Sequence, residues 1–242
     1  MKKIAVQVAG LNFSYPDKTN ALENINFSLK EGESLGLIGP NGAGKSTLLL
    51  HLNGVLKQDG AVRILGEPIK KQNIKTIRKK VGMVFQDPND QLFMPTVFDD
   101  VAFGPLNLGM ERDRIQEKVK TTLKKLGLNG YEEKNPYHLS LGERKKVSLA
   151  TVLVLEPQIL VLDEPTANLD PGSKKSFIST LKNIQKTKII ASHDMDSIFD
   201  LCSRIILMNK GKIVAQGKAD HILGDKNLLE ANNLELPSQL RS

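Results

Sequence analysis

The nine residues Gly39-Pro40-Asn41-Gly42-Ala43-Gly44-Lys45-Ser46-Thr47 join a glycine-rich turn, a lysine and a hydroxyl in the phosphate-loop pattern G-x-x-x-x-G-K-[ST], without a mismatch. Glycines at these positions let backbone N–H groups converge on phosphate oxygens, and a following helix would add the positive end of its dipole. Lys45 would neutralise the β- and γ-phosphates of a nucleoside triphosphate, and Ser46 would reach Mg²⁺. The competing reading is a glycine-rich turn before an ordinary helix. The flanks favour the first: Leu35-Gly36-Leu37-Ile38 has strand character, and the run from Leu48 to Leu56 has helical character. A second constellation follows the apolar strand Ile159-Leu160-Val161-Leu162, which ends in Asp163-Glu164. That places two carboxylates at the carboxyl edge of a sheet, where ligands of open α/β folds bind. Asp163 would hold Mg²⁺ through water together with Ser46, and Glu164 would orient or deprotonate a water attacking the γ-phosphate. The competing reading there is a solvated acidic strand end.

The elements that must position these groups are legible in outline. At 242 residues the chain suits one large α/β domain, 1–242, with an inserted subdomain. Short strands are predicted at Ile4 to Val8, Leu11 to Tyr15, around Ile25, Phe27 and Leu29, at Ala61 to Leu65 and at Val81 to Phe85. From about 88 to 155 the spacing turns helical, with Ile115, Val119, Leu123 and Leu126 on one face and Lys118, Lys120, Lys124 and Lys125 outside it. Strands return at 159–162, 188–191, 205–208 and 213–215, with helices at about 172–184 and 195–201 between the first three, which implies a parallel sheet covered on both faces. The tail from about Lys226 reads as a short helix and a loose end. Lysine and arginine exceed aspartate and glutamate, 34 against 27, for a net charge of +7, consistent with anionic ligands, an anionic membrane face or nucleic acid. The single cysteine, Cys202, excludes an internal disulfide or a cysteine-rich metal site and reads as a core filler. No apolar run approaches the ~18 residues of a membrane helix, and Met1-Lys2-Lys3 leads into a strand-like alternation rather than a signal-peptide core. The expectation is a cytosolic protein that docks on a membrane without crossing it.

Around Leu139-Ser140-Leu141-Gly142-Glu143 the chain resembles the ATP-binding cassette (ABC) ATPases, whose signature is written L-S-G-G-Q. Leu139, Ser140 and Gly142 match, while Leu141 and Glu143 depart from it; a serine before a glutamate is also an ordinary helix N-cap. The other family elements follow in order over nearly the whole chain. The resemblance implies that Tyr15 stacks on adenine, that Gln86 is the loop glutamine near Mg²⁺, that Asp170 in Ala167-Asn168-Leu169-Asp170 is an interface aspartate, and that His193 approaches the γ-phosphate. It further implies a P-loop core with an antiparallel β subdomain and a helical insertion, ATP and Mg²⁺ as ligands, and a head-to-tail dimer. In that dimer Ser140 and Gly142 of one subunit complete the site holding the other subunit's ATP. Three of these residues also have a plain reading: Tyr15 as an edge-strand aromatic, Gln86 as a polar strand end and His193 as a histidine after a buried strand.

Phe85-Gln86-Asp87-Pro88-Asn89-Asp90-Gln91-Leu92-Phe93, running on to Asp100-Val101-Ala102-Phe103-Gly104-Pro105, is similar to the ATPases of energy-coupling factor (ECF) importers, including the cobalt and nickel type, as is Leu52-Asn53-Gly54-Val55-Leu56. In that group the stretch containing a glutamine at the position of Gln91 lines a groove for a helix of the transmembrane coupling protein. The implied partners are therefore a second ATPase subunit, identical or paralogous, a transmembrane coupling protein and a substrate-binding membrane component, at the cytoplasmic face of the cell membrane. The basic runs Lys70, Lys71, Lys75, Arg78, Lys79, Lys80 and Arg144-Lys145-Lys146 read as solvated faces or as contacts to lipid or an acidic partner. A soluble cassette acting on nucleic acid or ribosomes is the rival class, although tandem cassettes and a long coiled coil are missing from this sequence. A small kinase or GTPase fits the signature and His193 less well.

Overall fold

The computed structural model describes residues 2–56 and 60–241; Met1, 57–59 and 242 of the expected 1–242 domain lie outside the described residues. Two sheets face each other across one apolar layer. The first is antiparallel, in the order β2-β1-β4-β5, built from β1 (Ile4–Ser14), β2 (Asn20–Lys30), β4 (Val62–Ile64) and β5 (Glu67–Pro68). The second has the order β10-β9-β3-β8-β7-β6, with β3 (Ser34–Ile38), β6 (Val81–Val84), β7 (Ile159–Asp163), β8 (Thr187–Ala191), β9 (Arg204–Asn209) and β10 (Lys212–Lys218). Within it β9, β3, β8, β7 and β6 run parallel, and β10 returns antiparallel against β9.

The continuous apolar strands are explained by what lies on each side. Ile159 and Val161 of β7 enter the layer facing the antiparallel sheet, while Leu160 and Leu162 enter the layer of helices behind it. The same alternation divides Ile189 from Ile190 and Ile206 from Ile205 and Leu207. Helix α1 (Lys45–Leu52) fills the layer between the sheets through Leu48, Leu49 and Leu52, and α2 (Ile74–Lys80) closes its edge through Ile77. The inserted helices are α3 (Val97–Asn107), α4 (Arg112–Lys125) and α5 (Leu141–Leu153); the core face of α4 is Ile115, Val119 and Leu123, as its spacing predicts. Helices α6 (Pro171–Asn183) and α7 (Met195–Leu201) cover the back of the parallel sheet, followed by α8 (Ala219–Gly224) and α9 (Lys226–Glu230).

Two sequence expectations are corrected. The two strands read at Ile4 to Val8 and Leu11 to Tyr15 are one, β1. The register slips between Val8 and Leu11, where Gly10 takes φ +62° and donates its N–H to Asn26, a bulge that breaks the apolar alternation without ending the strand. The tail is not loose: Leu229 and Leu234 are buried, and the Ser238 hydroxyl donates to Asp196 at 2.7 Å. Lys118 lies outside the apolar face as expected, and there it pairs with Glu156 at 2.9 Å.

Candidate functional site

The phosphate loop joins β3 to α1, and its geometry admits few residue types. Gly39 has φ +149°, and a Cβ there would meet the Met208 carbonyl oxygen at 2.1 Å; Gly44, with φ +97°, would bring one to 2.5 Å from the Ala21 oxygen. The start of α1 carries no acidic side chain and no side-chain cap, so its first N–H groups remain free to meet an anion. Lys45 bends back over the loop and donates to the carbonyls of Gly39 at 2.7 Å and Pro40 at 3.0 Å. Burial holds its pKa below the ordinary lysine value, and the nearby charges of Glu164 and Asp163 pull the other way.

Asp163 and Glu164 follow the buried end of β7, and their environments differ. Burial raises the Asp163 pKa, against the Ser46 hydroxyl, and its Oδ1 is buried without a hydrogen-bond partner. An orphaned carboxylate oxygen beside a serine hydroxyl suits Mg²⁺, which takes one or two protein oxygens and keeps several waters. Among the described residues no cluster of three or more His, Cys, Asp or Glu could form an all-protein metal cage. Glu164 is 7% exposed and anchored at both carboxylate oxygens. It accepts from the Ser192 hydroxyl at 3.0 Å and the His193 N–H at 3.1 Å, and His193 Nδ1 lies 2.9 Å from Oε2. Its backbone is left-handed, φ +43°.

A cavity of about 420 Å³ gathers Tyr15, Asn41, Gly42, Ala43, Gly44, Lys45, Ser46, Thr47, Gln86, Glu164 and His193. Tyr15 shares a hydrogen bond of 3.0 Å with Thr47 Oγ1 and stands edge-on to Phe13. Gly39, Pro40 and Asn41 border an adjoining cavity of about 480 Å³, walled by Asp194 and the tail residues Leu234, Leu236 and Arg241. Ser140, Gly142 and Asp170 line neither, and nor does Asp163, which is buried at the end of β7. Ser140 is an exposed N-cap of α5: its hydroxyl donates to Glu143 at 2.7 Å, and Glu143 in turn accepts from Tyr131 at 2.6 Å, which with Ser140 holds the Glu143 carboxyl below its usual range. Gly142 packs where a Cβ would stand 2.9 Å from the Ser173 hydroxyl. Asp170 caps α6, accepting from the N–H groups of Gly172 and Ser173.

Two residues at the site escaped the sequence reading. Ser192 directly follows the apolar strand β8, the same placement that singled out Asp163 and Glu164, and that was its available signal. Lys145 reads in the sequence as one of a surface run with Arg144 and Lys146, and the structure corrects this. Lys145 is 3% exposed and donates to the main-chain oxygens of Glu164 at 3.0 Å and Gln86 at 3.2 Å. Burial pushes its pKa down to about 8, opposed by Glu164, Asp87 and Asp163. Arg144 reaches Asn89 and Lys146 reaches Ser176. By contrast Lys70, Lys71, Lys75, Arg78 and Lys79 are exposed, as a solvated face requires. Gln91, expected to line a docking groove, is engaged inward: Nε2 donates to the Ser148 carbonyl and Thr151 hydroxyl, and Oε1 accepts from the Phe85 N–H.

A phosphate-loop cavity with a buried, half-partnered carboxylate at Asp163, an anchored carboxylate at Glu164 and a histidine beside it is the geometry on which the family comparisons can be set. A family model described as ABC transporter matches residues 22–167. A Gloeobacter violaceus protein, provisionally named as an ABC transporter ATP-binding protein, is 48% identical over 236 residues, covering 96% of this chain and 97% of that one. The energy-coupling factor transporter ATP-binding protein EcfA of Methanothermobacter thermautotrophicus is 46% identical over 238 residues, covering 96% of this chain and 76% of its own. Among solved structures, cbiO1 from Clostridium perfringens, described as part of the ABC transporter complex cbiONQ, superposes with a TM-score of 0.84 at 37% identity, covering 96% of this chain and 95% of its own.

Proposed function

The chain belongs to the ABC transporter family and is an ATPase of the energy-coupling factor and cobalt-transporter type, and from that premise we propose that it powers import as one half of a head-to-tail ATPase dimer beneath a transmembrane coupling protein. The observation that carries this reading is the division of the candidate residues. Lys45, Ser46, Gln86, Glu164 and His193 share one cavity, whereas Ser140 and Gly142 stand away from it at an exposed helix start. A site missing its last donors in one chain is one that a second chain completes.

In this reading the loop 39–47 grips the phosphates through main-chain N–H groups and Lys45, and Tyr15 stacks on the adenine. Ser46 and Asp163, with Gln86 nearby, hold Mg²⁺, which when bound neutralises the charge on the phosphate oxygens. Glu164, aimed by Ser192 and His193, orients the attacking water and draws off its proton. Ser140, Gly142 and Asp170 reach across the dimer, so closure depends on the γ-phosphate and hydrolysis releases it. The whole of 1–242 acts as one ATPase domain with residues 88–155 as its inserted helical subdomain. Among the described residues no helix is long and apolar enough to cross a membrane.

Docking through partners is supported by exposed apolar side chains on the insertion: Phe93 and Phe103, 56% and 41% exposed and edge to face at 5.0 Å, with Leu106, Leu108 and Tyr137. The placement on the cytoplasmic membrane face, the second ATPase and the substrate-binding component belong to the same proposal, with a cobalt or nickel ion or a vitamin as the cargo class. The rival role on nucleic acid loses part of its basis, because Lys145 of the run 144–146 is buried and spent on main-chain oxygens. Glu164→Gln tests the reading: ATP should shift the variant from monomer to dimer in light scattering and turnover should fall by roughly a hundredfold or more. Wild-type turnover in Glu164→Gln would remove the assignment.

A further inference from the structure

Lys145 lies one turn inside α5, the helix that Ser140 caps, and its ammonium crosses to the nucleotide side of the molecule. A buried ammonium must have its donors met. Here two of its three are met by main-chain oxygens, those of Glu164 and Gln86, which follow different strands and both line the cavity.

The Glu164 carbonyl is a particular one. A residue with a side chain holds φ +43° only where its surroundings fix both of its peptides. The Glu164 N–H donates to Ala191 at 2.9 Å, and its carbonyl accepts from the Ala167 N–H at 3.1 Å as well as from Lys145. The direction of the carboxylate toward Ser192 and His193 follows from that clamped backbone. The Gln86 end is also tethered twice to α5, by Lys145 and, one turn later, through Gln91, which ties the Phe85 N–H to Ser148 and Thr151.

We propose that Lys145 is a positioning residue for hydrolysis, tying the signature helix to the backbones of Gln86 and Glu164 so that displacement of α5 re-aims the Glu164 carboxylate. The inference rests on the reading of Glu164 as the water-orienting group. It makes the fit of α5 against its partner visible to the opposite face of the same chain.

The test compares Lys145→Met, which keeps the apolar stem and removes the donors, with Lys145→Arg, which keeps them. Steady-state kcat and KM are measured with equilibrium binding of a fluorescent ATP analogue and the melting temperature. The expected result is a fall in kcat of about tenfold or more in Lys145→Met, with affinity within about threefold of wild type, and recovery of much of kcat in Lys145→Arg. If Lys145→Met does not fold, Lys145→Gln, retaining an amide donor at shorter reach, carries the same comparison. Turnover in the donor-lacking variant within about twofold of wild type overturns the proposal. So does a parallel fall of kcat, affinity and melting temperature that Lys145→Arg does not restore. Glu164→Gln in the same preparation separates the two readings: if it is inactive while Lys145→Met is normal, only the tie through Lys145 fails, and if it turns over normally, the site reading itself fails.

Discussion

Adjacent carboxylates in one strand end have acquired different properties because their oxygens are treated differently. Glu164 is anchored on both oxygens, whereas Asp163 is buried with one oxygen unpartnered. An unpartnered buried charge costs stability, so Asp163 should be a residue the fold tolerates for its chemistry. Its folded pKa lies above the ordinary 3.8, so the native state binds the extra proton more readily than the unfolded chain. The associated stabilisation is complete below the unfolded value and is lost as pH rises through the folded one. At neutral pH the cost is therefore fully present. Asp163→Asn should raise stability of the nucleotide-free protein by about 1 kcal/mol, seen as a melting point about 2–4 °C higher at pH 7 and converging on wild type in acid. Mg²⁺-dependent turnover should fall by roughly a hundredfold. A lower melting point at pH 7 would show that Asp163 is partnered after all.

At the scale of elements, much of the fold could be read because burial on two faces writes itself as unbroken apolar runs: β7, β8 and β9 each differ from their predicted spans by one or two residues. What could not be read was polar atoms turned inward. Lys145 stands three, four and seven residues before Ser148, Leu149 and Val152, all buried, but a lysine on that stripe looks like an interruption until its acceptors are seen. Lys188 repeats the lesson inside β8. Its ammonium donates to the carbonyls of Leu181 at 3.0 Å and Ile184 at 2.9 Å at the negative end of α6, each of which also accepts one main-chain N–H. Lys188→Met should cost about 1 kcal/mol by removing the two hydrogen bonds of the ammonium, each carbonyl keeping a single main-chain donor, the Ile184 N–H for Leu181 and the Lys186 N–H for Ile184. The measurement is chemical denaturation, and a midpoint shift without a change in slope is expected. An unchanged midpoint would mean that water replaces the ammonium.

Across the whole molecule, the nucleotide cavity and the apolar patch of the insertion occupy separate regions, joined through α5. Replacing Phe93 and Phe103 together with aspartate should leave the melting temperature within about 2 °C of wild type, since both rings are already exposed. The same double variant should lose co-purification with integral membrane partners from detergent extracts, as removal of two central aromatic anchors would cause. Retained co-purification would move the docking surface elsewhere. The stretch 85–105 is conspicuous in the sequence, but which of its side chains turn inward is not: Gln91 ties Phe85 to α5, while Phe93 and Phe103 stay exposed. The alternation along β7, finally, has a consequence for how such a chain can change over generations. Ile159 and Val161 belong to one packed layer and Leu160 and Leu162 to the other, so the parallel sheet is a wall with two tenants. A substitution that bends this strand to suit new helices is felt at once by the layer around the phosphate loop. The helical half can therefore drift toward new partners at its outer surface, while the wall itself is held to a narrow range of volumes by both sides.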